Sequence, residues 1–152
     1  MLDVSDRLEI LEVLHRYPEI VDYREGYRSA GNVFADDARF DADEFGCGVW
    51  QGLPEIQKFF SHWPKRPGES PDLQVISHNV VNALVSQLKS DGTVRCQSRC
   101  VVILIDAPPV TAVYLDTFRK TEKGWRIASR RVQAISPENT LTWLSDPAVD
   151  TD

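Results

Sequence analysis

The chain has 152 residues and a mass of 17.2 kDa, the size of one domain able to bury its own core. Hydrophobic residues make up 42% and charged residues 26%, which excludes disordered, collagenous and low-complexity classes. Seventeen basic against twenty-three acidic residues leave a net charge of −6, so no overall field draws nucleic acid or anionic lipid to the protein.

The first ten residues carry acids where a secretory leader needs bases, and no apolar run nears the ~18 residues of a membrane span. Residues 3–21 place Leu8, Leu11 and Leu14 at helical spacing, with Ile10, Tyr17 and Val21 beside them and Asp3 or Ser5 as the cap. Pro18 and Gly26 predict a bent last turn, followed by a short helix over residues 27–34. The acidic turn at 35–37 leads into a strand over 38–45, closed by Gly46-Cys47-Gly48. Residues 53–63 form a further helix with an aromatic face of Phe59, Phe60 and Trp63, and the proline-rich stretch 64–71 is an extended loop.

Beyond it the period changes from helical to alternating. Residues 74–88, 93–105, 110–121 and 125–135 are four long strands joined by hairpin-sized turns, which predicts an antiparallel meander. Residues 137–152 are a polar tail with one apolar cluster, Leu141, Trp143 and Leu144. The order of elements predicts an α+β fold of one domain over residues 1–136, its curved antiparallel sheet packed on N-terminal helices around a concave pocket.

Several ionisable residues fall where that fold encloses them. Asp22 projects within about 20–40° of Leu11 and Leu8 if the first helix persists so far, which buries a carboxylate; if Pro18 ends the helix, Asp22 caps the next one instead. His78 interrupts the apolar strand Val75–Val81, where a neutral imidazole either moves a proton near pH 7 or is simply a hydrogen-bonded structural residue. His15, two turns before Asp22, competes for the same carboxylate, whereas His62 belongs on the surface. Arg130 and Arg131 point to opposite faces of the last strand, so one is enclosed and needs an acid or an anion; Asp116 on the neighbouring strand can supply it. Tyr17 and Tyr114 offer phenolic protons or are core.

Other chemistries find no template. There is no glycine-rich phosphate loop, no HExxH and no GxSxG, and Cys96 and Cys100 lack zinc-site spacing; no metal or cofactor is expected. Three cysteines cannot build a complete disulfide framework, and a reducing cytoplasm is the simpler compartment.

Taken together, Tyr17-x4-Asp22, Phe34-Ala35-Asp36-Asp37-Ala38, Gly52-x3-Ile56, Ser77-His78-Asn79, Tyr114-x-Asp116 and Gly124-Trp125-Arg126-Ile127-x2-Arg130 resemble the SnoaL-like branch of the NTF2-like superfamily over residues 3–136. The resemblance implies a cone-shaped α+β barrel with a deep, mostly apolar pocket, and a homodimer or homotrimer. It is nearest to the group of scytalone dehydratase, lindane dehydrochlorinase and the bile-acid dehydratases. It implies an aspartate–histidine pair at Asp22 and His78, assisted by Tyr17 and Arg130, with Phe40, Tyr114 and Ile76 as pocket positions. One departure is that residues 96–105 offer no second histidine. The function this implies is a cofactor-independent lyase or isomerase, foremost a dehydratase of a hydrophobic small molecule. A noncatalytic small-molecule-binding protein and the small subunit of a ring-hydroxylating dioxygenase are the alternatives.

Overall fold

The computed structural model describes residues 2–63 and 75–135. Helix α1 (Val4–Asp22) opens at Asp3, whose side chain accepts a hydrogen bond from the Asp6 amide at 2.7 Å and so satisfies one of the free first-turn donors. Pro18 removes an N–H, yet the helix runs on to Asp22. Burial of Tyr17, Ile20 and Val21 outweighs the lost bond. The expected Leu8–Leu11–Leu14 face is corrected: the buried stripe is centred on Ile10, Leu14, Tyr17 and Val21, and Leu8 is 58% exposed. Leu8 lies two residues from Ile10, about 200° around the helix, while Leu11 packs on the flank.

The chain then doubles back through a 3₁₀ segment, Gly26–Asn32, in place of the short helix expected over 27–34. A Cβ at Gly26 would collide with the Glu19 carbonyl oxygen, so only glycine allows this close return. Strand β1 (Phe34–Asp41) begins four residues before the predicted strand. Asp36 and Asp37, read as a turn, lie within it at a register shift between Phe34 and Arg39, a bulge that turns both acids to solvent. Residues Asp43–Phe45 leave the strand as a 3₁₀ turn ended by Gly46 in the left-handed region. A short strand, β2 (Val49–Gln51), was not foreseen; it pairs antiparallel with β1 and sets Trp50 opposite Phe40. Helix α2 (Leu53–Ser61) carries Pro54 in its first turn and buries Ile56 and Phe60.

Four long strands follow, β3 (Val75–Leu88), β4 (Thr93–Leu104), β5 (Val110–Thr121) and β6 (Gly124–Ala134). They form the predicted antiparallel meander. The whole sheet has the order β2-β1-β6-β5-β4-β3. Because β1 runs parallel to β6, the sheet is mixed rather than purely antiparallel. The architecture is α+β, a curved sheet over the N-terminal helices, with Phe34, Phe60, Phe118, Trp125 and Ile127 in the shared core. Strand β3 is an edge, which leaves backbone groups open to unwanted pairing. Helix α1 covers it: Arg7 Nη1 donates to the Val85 carbonyl at 2.9 Å and Asp22 accepts from the His78 amide at 2.9 Å. Among the described residues no helix is long and apolar enough to cross a membrane. The expected loop at 64–71 and the tail at 137–152 lie outside the described residues.

Candidate active site

Asp22 leaves α1 on the flank of its buried stripe, with its side chain 14% exposed, and meets His78 of β3. Both carboxylate oxygens are used. Oδ1 lies 2.6 Å from the imidazole Nδ1, and Oδ2 accepts from the His78 backbone N–H. A carboxylate facing Nδ1 fixes the tautomer in which Nδ1 carries the proton, leaving Nε2 as the acceptor. The continuation of α1 past Pro18 brings these two residues together; His15 and His62 are both exposed and apart from the pair.

His78 forms part of the wall of a cavity of about 190 Å³, larger than the ~150 Å³ hole that holds a benzene molecule. The walls are aromatic and aliphatic, with Phe40, Phe59, Phe60 and Trp63 on one side and Val102, Leu104 and Val132 on another. Among the described residues no Asp, Glu, Lys or Arg lines the cavity, so those residues offer an anionic ligand no counter-charge. Phe40 and Tyr114 line the cavity. Ile76 does not: it is 56% exposed, because the register slips between Val75 and Ser77 and Val75 takes the wall position instead. The helix face bearing Phe59, Phe60 and Trp63 was legible as aromatic, but its aim into the cavity was not. Cys47, Phe45 and the far strand residues Val110 and Ala112 gave no sequence signal beyond being apolar or small.

Tyr17 and Tyr114 form the polar part of the wall. Their rings meet edge to face at 5.4 Å, and the Tyr17 ring stands 6.5 Å from that of His78. Burial pushes both phenols above their ordinary pKa, with Arg130 opposing the shift in each, so both stay protonated donors near neutral pH. Arg130 itself is not among the lining residues. Its guanidinium is sandwiched between the two tyrosine rings, 4.2 Å from each centroid, and two of its nitrogens donate to Asp116 at 2.7 and 2.8 Å. Burial works against the charge on Arg130, but the Asp116 carboxylate outweighs it and holds the pKa above its usual value. Its Nη1 has no hydrogen-bond partner among the described residues, and the two tyrosines that stack on it stand in the cavity wall. Arg131, on the outer face, pairs with Glu44 at 2.9 Å, so the two arginines divide between the faces as read from the sequence. Among the described residues no three His, Cys, Asp or Glu side chains gather into a metal site.

The chain belongs to the SnoaL-like domain family, whose model matches residues 3–131, and has the NTF2-like architecture with a cystatin-like fold. Similar solved structures include a candidate aromatic ring hydroxylase from Novosphingobium aromaticivorans, with a TM-score of 0.70 and 23% identity over 90% of this chain and 94% of that one. A candidate scytalone dehydratase from the same organism gives a TM-score of 0.66 at 16% identity, covering 88% of this chain and 86% of that one. A hexachlorocyclohexane dehydrochlorinase, LinA type 2, gives 0.63 at 16% identity, covering 88% and 87%. Among curated proteins none matches the sequence.

Proposed function

We infer that this chain is a cofactor-independent lyase or isomerase acting on a neutral, hydrophobic, ring-sized compound, with dehydration as the leading reaction. The observation that carries this reading is the Asp22–His78 contact, with His78 in the wall of a cavity whose described lining carries no Asp, Glu, Lys or Arg. A pure binder of apolar molecules has no use for an ionisable pair there. The chemistry follows from the tautomer. Nε2 of His78 takes a proton from a carbon beside an electron-withdrawing group, and the C–H electron pair becomes the new double bond as hydroxide leaves. The imidazolium, stabilised by Asp22, returns the same proton to that hydroxide, giving water and restoring the neutral ring. Tyr17, and Tyr114 beside it, donate hydrogen bonds to the substrate oxygen that gains charge. They do so as neutral donors, because burial holds their protons on. Isomerisation differs only in returning the proton to another carbon.

The test incubates the protein in D₂O with a panel of neutral cyclic β-hydroxyketones and follows deuterium uptake and loss of water by mass spectrometry. The reading expects at least one compound to exchange or dehydrate, at a rate lowered 100-fold or more by Asp22→Asn. Tight binding with no exchange in any compound that binds would overturn it in favour of a noncatalytic binding protein.

A further inference from the structure

A second cavity, also of about 190 Å³, has no described lining residue in common with the first. It lies where the Gly26–Asn32 segment and the start of β1 meet the β5–β6 turn; the former bring Gly31, Phe34 and Ala35 to its wall, the latter Thr121, Lys123 and Arg126. Arg126 is half-buried there and held still. Its Nε donates to the Gly31 carbonyl at 2.9 Å and its Nη1 to the Trp125 carbonyl at 2.7 Å. Neither acceptor is charged, and among the described residues no carboxylate forms an ion pair with this guanidinium. Its cross-strand neighbour is a second arginine, Arg119, itself paired with Asp37, while Glu9 on α1 directs Oε1 to the Trp125 amide. Burial holds the Arg126 pKa below its ordinary value, with Glu9 opposing the shift and Arg16 adding to it. A guanidinium has five N–H groups, and the two engaged here leave a fork from Nη1 and Nη2 for a planar acceptor.

We propose that this second cavity binds a small monocarboxylate with an apolar body, its carboxylate seated on the Arg126 fork. A half-buried cation without an acid gains most from an anion, and a carboxylate matches the planar guanidinium with two parallel hydrogen bonds. The charge of the ligand is set by the acids at the rim. Asp36 is paired with Lys123 at 3.7 Å, and exposed Glu122 repels any anion that enters. A phosphate dianion meets that repulsion with twice the charge of a monocarboxylate. The rest of the wall sets the body: Gly31, Phe34 and Ala35 offer no side chain that hydrogen-bonds, and the volume exceeds the ~150 Å³ that holds a benzene ring. The site stands apart from Asp22 and His78, neither of which lines it.

The test is a ¹H–¹⁵N titration of the full chain with sodium benzoate at constant ionic strength, with benzamide and inorganic phosphate as the other arms. Benzoate is expected to shift the Arg126 Nε–H and the Gly31 and Ala35 amides saturably, with a Kd of about 1 mM. Benzamide has the same shape without the charge, and should bind at least tenfold more weakly. Arg126→Lys keeps the charge and loses the fork, so benzoate binding should fall at least tenfold in a protein that circular dichroism shows to be folded. Glu122→Gln leaves every Arg126 hydrogen bond in place on an exposed turn, and should tighten benzoate about threefold by removing a repulsion. Benzoate that shifts only residues of the first cavity, or that never saturates, would overturn the proposal. So would benzamide binding equal to benzoate, or affinity unchanged in both variants. Phosphate binding tighter than benzoate would overturn the carboxylate in favour of a phosphate site. None of these readouts uses turnover, so they stand or fall separately from the lyase reading.

Discussion

Asp22→Asn tests the site most sharply, because it changes the chemistry and hardly changes the shape. The carboxylate accepts two hydrogen bonds, from Nδ1 of His78 and from the His78 amide. An asparagine has one acceptor and one donor end. Its oxygen keeps the backbone bond to β3, and its NH₂ then faces Nδ1, which must give up its proton and accept. The imidazole is forced into the Nε2–H tautomer, and Nε2, the base of the proposed reaction, loses its lone pair. Stability falls by roughly 1 kcal/mol, the difference between a charged and a neutral hydrogen bond, so the variant stays folded. Activity falls by about 10²–10⁴ in kcat, the usual contribution of a positioned general base, with KM little changed because the cavity wall is intact. Asp22→Ala behaves differently: it strands two donors at about 1–3 kcal/mol each, a serious loss against a typical total of 5–15 kcal/mol. Long-range ¹H–¹⁵N spectra of the imidazole read the tautomer directly, without any substrate. The reasoning fails if Asp22→Asn still shows Nδ1–H, or if the tautomer flips and turnover of an identified substrate is unaffected.

Breaking the buried Arg130–Asp116 pair by Arg130→Ala should cost about 3–5 kcal/mol in urea unfolding, whereas the double change Arg130→Met with Asp116→Leu should recover most of it, since a desolvated pair is poor at stabilising by itself; equal losses in both would contradict this. Asp6 is held below the usual carboxylate range by hydrogen bonds from Lys120 and then from Trp125. Its contribution is present above the unfolded value of about 4 and is lost as the pH falls through the lower folded value, so Asp6→Asn should flatten the acid limb of a stability–pH curve without moving the alkaline limb. All three cysteines are free, and burial pushes Cys96 up to about 12, with Asp116 adding to it, and raises Cys100 as well. Half-buried Cys47, in the cavity wall, should therefore be the first to take iodoacetamide, and an apolar ligand in the cavity should slow that labelling by at least tenfold; labelling first at Cys96 would refute the burial argument.

The long strands were legible in the sequence because alternation over eleven to fourteen residues outlasts local noise, and the hairpin turns then fixed the meander. The first third was harder for a physical reason. Asp36 and Asp37 carry turn chemistry, but a bulge lets a strand hold them, and β2 is three residues long, too short for any period to show. Asp22 had two readings because propensity sets Pro18 against the apolar residues beyond it, and only tertiary packing decides between them. Ile76 was misplaced by a single-residue slip, which flips a side chain from one face of a sheet to the other.

The Arg130–Asp116 pair shows why the last step from fold to site cannot be read from spacing. The strand period correctly puts one arginine inside, and cross-strand register puts an acid opposite it. Nothing in that pattern says whether the cation faces the ligand or stands behind something that does. The two tyrosine rings, 4.2 Å on either side, come from a helix and a different strand, so their convergence exists only in three dimensions. A buried ion pair contributes little net stability, but removing its freedom also fixes whatever stacks on it. Under the proposed chemistry its use is to hold the Tyr17 and Tyr114 hydroxyls at one place in the cavity wall, where a donor displaced by 1 Å can lose 10²-fold in rate. Arg130 is in that case a positioning residue, and Arg130→Met paired with Asp116→Leu separates the two roles: a folded protein whose kcat falls while KM and the His78 tautomer stay unchanged fits positioning, and full activity in that double variant would show the tyrosines need no clamp.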